Sequence, residues 1–223
     1  MQAALKPYLT PEEYLALERE TEAKSEYFNG EVFAMSGASE AHNLIVANLV
    51  SILITGLRGR PYKAYPSDMR VQVKATGLYT YPDASVVCGN AIFADDQKNT
   101  LRNPTIIFEV LSPTTEAYDR GAKFAHYRAL DSLTDYVLIS QDEARVEHFA
   151  RQSPDRWLLS VYQGPEAVAL LPSIDCELPL ADVYDKVELP PAEAVTFRVV
   201  RERQAEYEDD TYARRPPAPH YNL

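Results

Sequence analysis

The fold of this 223-residue chain turns on residues 106–127, Ile106-Ile-Phe-Glu-Val-Leu-Ser-Pro-Thr-Thr-Glu-Ala-Tyr-Asp-Arg-Gly-Ala-Lys-Phe-Ala-His-Tyr127. From Pro104 to Leu111 the chain is a continuous apolar run interrupted by a single acid, Glu109. Such a run, closed by Ser112-Pro113, predicts a central strand buried on both faces. Ser112-Pro113-Thr114-Thr115 then caps a helix expected from about Glu116 to Leu130. Glu109 is the telling residue. A lone carboxylate between Phe108 and Val110 costs several kcal/mol unless it is paired or bound to a metal, so something cationic is expected beside it.

Upstream of this stretch, Thr10-Pro11-Glu12-Glu13 is a capping box with proline at the first helical position, and its helix is expected to reach about Ala23. Asn29-Gly30 predicts a type I′ hairpin joining strands at about Ser25–Phe28 and Glu31–Met35. Ser39 caps a second helix, about Glu40 to Leu57, whose Ala41, Leu44, Ile45, Asn48, Leu49, Ile52 and Leu53 form one apolar stripe. From Tyr62 to Gly89 the period changes to two. Met69–Lys74 and Ala84–Cys88 read as an antiparallel hairpin, with Ala75-Thr76-Gly77 as its turn. A polar loop is expected over about 95–103. Downstream, strands are expected at Asp135–Ser140, Ala144–Phe149 and Trp157–Tyr162. The stretch from Gly164 to Val187 yields no assignment. The fold class is α+β. One domain, residues 1–190, is followed by a charged, proline-rich extension over 191–223, expected to be partly disordered with a short helix around Glu202–Glu208.

Composition narrows the function. Hydrophobic content of 46% and charged content of 25% suit a globular domain with a real core. A net charge of −11 argues against a polycation that coats nucleic acid, yet permits a metal site and a local groove. With Gly at only 8 residues, no glycine-rich phosphate loop is evident. Cys88, in the apolar run after Val86-Val87, reads as a small buried hydrophobe, and no disulfide to Cys176 is expected. The N-terminus lacks a signal-peptide core, and no run approaches the roughly 20 apolar residues that span a bilayer, so no membrane partner and a cytoplasmic location are expected.

Two further residues join Glu109. Asp83 follows Pro82 at a strand entrance and offers a second hard oxygen ligand of the kind Mg²⁺ or Mn²⁺ prefers. Lys123 lies on the helix after Glu109, where the strand–turn–helix order can fold its ammonium back over the carboxylate. A competing reading pairs it with Asp119, i, i+4 on the helix surface.

The stretches KSEYFNGEVFAMSGASEAHN (24–43), SDMRV (67–71), YPDASVV (81–87), IFEVLSPTTEAYDRGAKFAHY (107–127) and DYVLIS (135–140) together resemble the PD-(D/E)XK nuclease superfamily. Within it they resemble the Uma-type "putative restriction endonuclease" family, over roughly residues 10 to 150. That resemblance implies a restriction-endonuclease-like fold, a mixed central sheet flanked by helices. It implies that Asp83 and Glu109 are metal ligands, with the Val110 backbone carbonyl as a third. It departs from the superfamily pattern at Leu111, where a lysine is expected; the related family supplies that lysine from the next helix, which lands on Lys123. Glu26 is a candidate extra acid, its alternative being an exposed edge-strand carboxylate. His42 resembles a family position, against a capping or packing role. Asp68 reads as a turn residue. Tyr127 and Ser112 are candidates to touch a DNA backbone.

The expected activity is Mg²⁺-dependent cleavage of DNA, with Mn²⁺ as a substitute and a homodimer as the assembly suited to cutting both strands of a duplex. Two other classes stay open. One is a nuclease-like fold without catalysis, serving as a dimeric interaction or regulatory module. The other is a metal phosphohydrolase acting on small nucleotides.

Overall fold

The computed structural model describes residues 8–35 and 37–191. Residues Met1–Pro191 cluster as one unit. The expected C-terminal extension and its short helix lie outside the described residues.

Three sheets carry the fold. The six-stranded one runs β11 (Arg156–Gln163), β10 (Arg145–Ser153), β9 (Asp135–Ser140), β8 (Ile106–Leu111), β6 (Ala84–Cys88) and β3 (Tyr62–Pro66). It is mixed, since β8 and β9 are parallel and the other pairs antiparallel. The five-stranded one runs β2 (Glu31–Ala34), β1 (Ser25–Phe28), β5 (Leu78–Thr80), β4 (Arg70–Val73) and β7 (Thr100–Leu101). A separate hairpin pairs β12 (Val168–Leu171) with β13 (Cys176–Pro179). Helix α1 is Pro11–Glu20 and α2 is Glu40–Gly56. A helical arm follows β8: α3 (Glu116–Tyr118), a π-helical turn over Asp119–Lys123, and α4 (Phe124–Tyr127). A last short helix, α5, is Leu180–Val183.

β8 is the central strand its sequence predicts, and its alternation divides the core. Ile106, Phe108 and Val110 face Ile45, Leu49 and Leu53 of α2 and the β12–β13 hairpin. Ile107 and Leu111 face Phe124 and Tyr127 of the helical arm and Tyr136 of β9. The apolar stripe of α2 thus covers one face of the sheet and the arm covers the other, the layered arrangement that buries both faces of a sheet. The capping box of α1 forms as expected, Thr10 and Glu13 each bonding the other's backbone N–H. Asn29 and Gly30 both take positive φ, the backbone of a type I′ turn. At Gly30 a Cβ would also run into the Tyr8 ring. Part of the tyrosine richness has a structural use: Tyr14, Tyr27 and Tyr79 form an aromatic triangle, with centroids 4.9, 5.6 and 5.8 Å apart, that pins α1 to the five-stranded sheet.

Three expectations need correction here, and one unassigned stretch gains its elements. Met69–Lys74 does not form a hairpin with Ala84–Cys88; β4 turns through Thr76-Gly77 into β5, and β6 lies in the other sheet between β3 and β8. Pro82 explains the switch, because a residue without an N–H interrupts the ladder and lets the chain leave one sheet for the other. The polar loop over 95–103 includes β7, which pairs parallel with β4. The unassigned stretch after Gly164 holds β12, β13 and α5, whose Ala169, Leu171, Leu178 and Leu180 join the core under α2. Cys88 is exposed and free, while Cys176 is the buried one. Cys88 is the last residue of β6, immediately before the positive-φ Gly89, where the strand still pairs with β3 but has run past β8.

A buried hydrogen bond locks β9 to β10: His148 Nε2 lies 2.5 Å from Asp135 Oδ1. Burial alone would raise the Asp135 pKa, but hydrogen bonds from His148, Ser173 and Thr134 outweigh it and hold the carboxyl below its ordinary value. A depressed carboxylate pKa stabilises the fold above the unfolded-state value and loses that contribution as pH falls through the folded-state value. Asp135→Asn is therefore expected to cost about 2–3 kcal/mol at pH 7, with the gap to the unmodified protein closing below about pH 4; urea titrations across pH check this.

Candidate functional site

The site is assembled where β6 begins against β8. The β6–β8 register pairs Ala84 with Phe108. Carried one residue further, it sets Asp83 opposite Glu109. Carried two, it sets Pro82 opposite Val110. Pro82 has no N–H to give, so the ladder stops, and the Asp83 side chain takes over: its Oδ2 accepts from the Val110 N–H at 2.7 Å. In an extended strand the N–H and C=O of one residue point to the same edge, so the Val110 carbonyl is directed to this side too. The Asp83 Oδ1 lies 3.0 Å from His42 Nε2, in the first turn of α2. His42 donates its own N–H to the Ser39 cap. A capping position and a contact with the candidate carboxylate therefore coincide in one residue.

Glu109 and Lys123 are buried, at 4% and 6% exposure. Lys123 Nζ sits 2.9 Å from Glu109 Oε1, 3.2 Å from Glu26 Oε1 and 3.4 Å from Asp119 Oδ1. The reading of Lys123 as half of a surface pair with Asp119 is thus overturned, since both side chains are buried and the principal partner is Glu109. Glu26 is not an edge-strand acid, because β1 lies between β2 and β5, and Glu26 also accepts from Thr80 Oγ1. Tyr127 is fully buried and donates to Glu109 Oε1 at 2.8 Å. It therefore orients the carboxylate from within the core and cannot reach a DNA backbone. Ser112 accepts from the Thr115 N–H and so shapes the start of the arm. Asp68 is the exposed turn residue expected, paired with Lys24 at 2.5 Å.

Leu111 shares a face of β8 with Glu109 and is buried under the arm. The place where the superfamily pattern puts a lysine is therefore filled by packing. Lys123 reaches the same carboxylate from the arm, through the π-helical turn. Such turns insert an extra residue and re-aim side chains, and they recur at functional sites. Gly121 at its centre is a weak helix former that eases the distortion. Asp119, read from the sequence as a surface partner of Lys123, is a buried member of the cluster. The i, i+4 spacing to Lys123 is legible, but only packing reveals that the pair is buried.

Electrostatics follow from the count. Glu26, Glu109 and Asp119 surround one lysine, and Asp83 stands next to Glu109 with His42 at the margin. Burial, against the opposing pull of Lys123 and with a push from Asp119 and Asp83, holds the Glu109 pKa well above the carboxylate range. Burial also raises Asp119. For Lys123, burial favours the neutral amine, but Glu109, Glu26 and Asp119 prevail and keep it an ammonium. The surplus of acid over base suits a further cation. Asp83, Glu109 and the Val110 carbonyl are hard oxygen donors, the type Mg²⁺ takes while keeping several waters. Among the described residues no three His, Cys, Asp or Glu side chains converge as a complete cage. A two-carboxylate site finished by a carbonyl and water fits that observation.

Comparison with known proteins places the chain in a family. The model of the family Uma2, described as "Putative restriction endonuclease", matches residues 11–181. The chain belongs to the Uma2 family. Two Synechocystis relatives resemble it: "Uncharacterized protein sll1609", 36% identical over 75% of this chain and 94% of its own length, and "Uncharacterized protein slr1290", 37% identical over 74% and 85%. A crystal structure of a "putative nuclease belonging to DUF820" from Anabaena variabilis superposes with a TM-score of 0.67. It covers 81% of this chain and 99% of its own, at 24% identity, and so shows a shared fold. The Uma2 match extends past the resemblance legible around the site, through β12 and β13. No helix among the described residues is long and apolar enough to cross a membrane.

A carboxyl whose folded-state pKa is raised favours folding fully below its unfolded-state pKa and progressively loses that advantage as pH rises through the folded-state value. In metal-free buffer Glu109→Gln, which mimics the protonated acid, is therefore expected to gain stability relative to the unmodified protein as pH is raised from 4 to 8. Thermal melts in EDTA across that range test this; a difference that shrinks with rising pH would contradict the burial argument.

Proposed function

We propose that this Uma2 protein is a metal-dependent endonuclease that hydrolyses DNA phosphodiester bonds. The observation that carries the reading is the meeting of Asp83 and Glu109 at the end of the β6–β8 ladder, with the Lys123 ammonium 2.9 Å from Glu109. Asp83, Glu109 and the Val110 carbonyl would hold Mg²⁺ or Mn²⁺, whose chemistry there is to polarise a phosphoryl oxygen and acidify a bound water. His42 and the Val110 N–H fix the two Asp83 oxygens and so pre-orient that ligand. Tyr127 does the same for Glu109. Lys123, held charged by its carboxylate neighbours, is suited to stabilise negative charge developing on the phosphoryl group and to hold a water by hydrogen bonding.

A second reading has support of its own. Lys123 already neutralises part of the carboxylate cluster without a metal, and Leu111 occupies the motif-lysine position. A nuclease-like scaffold without catalysis would have this arrangement. Cation binding separates the two. Mg²⁺ or Mn²⁺ at about 100 times its Kd is expected to stabilise the protein by about 2.7 kcal/mol, seen as a rise in Tm that Asp83→Ala abolishes. An unmoved Tm with both cations would favour the scaffold.

Activity itself is tested on supercoiled plasmid. With Mg²⁺ or Mn²⁺ the protein is expected to nick it. Asp83→Ala and Glu109→Ala should each lower the rate by at least about 10²–10³-fold, and Lys123→Ala should lower kcat with little effect on DNA affinity. Equal residual cleavage in the Asp83 and Glu109 variants would locate the activity elsewhere.

A further inference from the structure

The carboxylate site has an aromatic rim that the hydrolytic chemistry leaves unused. Phe33, on β2, pairs directly with Glu26 on β1. Directly opposed residues of an antiparallel pair project to the same face, and Glu26 projects toward Lys123. Phe33 therefore stands beside the site, one strand outward, on the edge strand of its sheet. It is 46% exposed, and Met35, on the same face two residues on, is 39% exposed. Tyr118 immediately precedes the π-helical turn. Its ring centroid lies 6.0 Å from Lys123 Nζ, and the residue is 37% exposed. Single exposed apolar side chains are ordinary. Two aromatic rings flanking one buried acidic cluster, with a methionine alongside, form a local surface with a definite chemistry.

We propose that Phe33 and Tyr118 form a stacking platform for unpaired nucleobases, so that the site takes single-stranded or locally opened DNA in preference to intact duplex. This rests on the nuclease reading above and specifies its substrate. A duplex presents phosphates and base edges, while its base faces are stacked inside. Gripping it requires cations aimed at the backbone. Among the described residues, the cations bordering this site are already engaged. Lys123 is enclosed by carboxylates. Lys24 is paired with Asp68 and donates to the Ser67 carbonyl. Arg120 is paired with Glu116 and Glu147. The whole chain carries a net charge of −11. What the rim offers is π surface, and stacking of bases on aromatic side chains is the interaction that holds single strands with little regard to sequence. An unpaired strand also bends readily, which lets one phosphate reach carboxylates recessed behind the rings.

The test uses the full chain and a fluorescein-labelled mixed-sequence oligonucleotide, offered either single-stranded or as a blunt duplex. Binding is read by anisotropy with Ca²⁺ in place of Mg²⁺, and cleavage is read in parallel with Mg²⁺. The single strand is expected to bind at least about tenfold more tightly and to be cut first. Phe33→Leu and Tyr118→Leu keep an apolar side chain but remove the π face. Each should weaken single-strand binding by about tenfold while changing duplex binding less than twofold, and Phe33→Trp should restore it. Duplex bound or cut as well as the single strand, or leucine variants that bind the single strand normally, would overturn the platform; if that cleavage still depended on Asp83, the nuclease reading would stand. A Phe33→Leu variant that lost a self-associated form in sedimentation yet bound DNA normally would make the rim a protein contact and likewise overturn it. Binding and cleavage of neither form would remove the platform and the nuclease reading together.

Discussion

A lysine ammonium enclosed by carboxylates is the contact on which the rest of the arrangement depends. Lys123 comes from the π-helical turn of the arm, Glu109 from the six-stranded sheet and Glu26 from the five-stranded sheet, so one cation joins both sheets and the helix that follows the central strand. Buried charges are tolerated only in such company. Removing one partner of a buried pair typically costs about 3–5 kcal/mol, because the charge left behind has lost its compensation. Here the imbalance runs the other way even when the cluster is complete, since the acids outnumber the lysine. The cluster therefore holds together as structure while keeping an appetite for positive charge, the property a metal-assisted site needs.

The geometry around Asp83 shows how the start of a strand fixes a carboxylate in place. Pro82 denies Val110 its ladder partner, and a side-chain oxygen of Asp83 fills the gap in the backbone pairing. Two residues earlier, Tyr81 is fixed from the opposite side. Its hydroxyl donates to Glu18 of α1 at 2.5 Å and accepts from Arg70 at 3.0 Å, and Arg70 also bonds Thr100 and Asn99. Glu18 in turn accepts from the Ser25 N–H at the start of β1. The crossing between the sheets is thereby held by polar contacts on both flanks, and a carboxylate held this firmly loses little entropy when it engages a ligand.

Function and stability meet in the same few residues. Tyr127 contributes to the core and orients Glu109; His42 belongs to the first turn of α2 and orients Asp83. Leu111 packs where a related site would place a lysine, and the arm compensates by delivering Lys123. Beyond the recessed acids the surface changes character to exposed rings on β2 and at Tyr118. On the proposed function, a desolvated charged floor with an aromatic rim would divide the labour between chemistry at phosphate and contact with bases.

Much of this was legible residue by residue. The continuous run around Glu109 announces a central strand because no half-exposed strand would carry it. Thr10-Pro11 and Asn29-Gly30 announce a helix start and a hairpin because their backbone demands are local. Glu109 stands out because an acid embedded in an apolar run is costly alone, while Asp83 and Lys123 gain their weight from it and from the family resemblance. What the linear chain does not carry is which sheet each strand joins and what buries each side chain. The alternation of β4 and β6 is the same whether they pair or part, and Pro82 separates them only when two sheets exist to choose between. The edge strand that Glu26 might have occupied is interior because β2 and β5 flank it. The pair Asp119–Lys123 has identical spacing on an exposed helix and on a buried turn. Short-range preference is written in neighbouring residues. Burial and partnership across 27 or more positions, as between Asp83 and Val110, arise only when distant segments share one core.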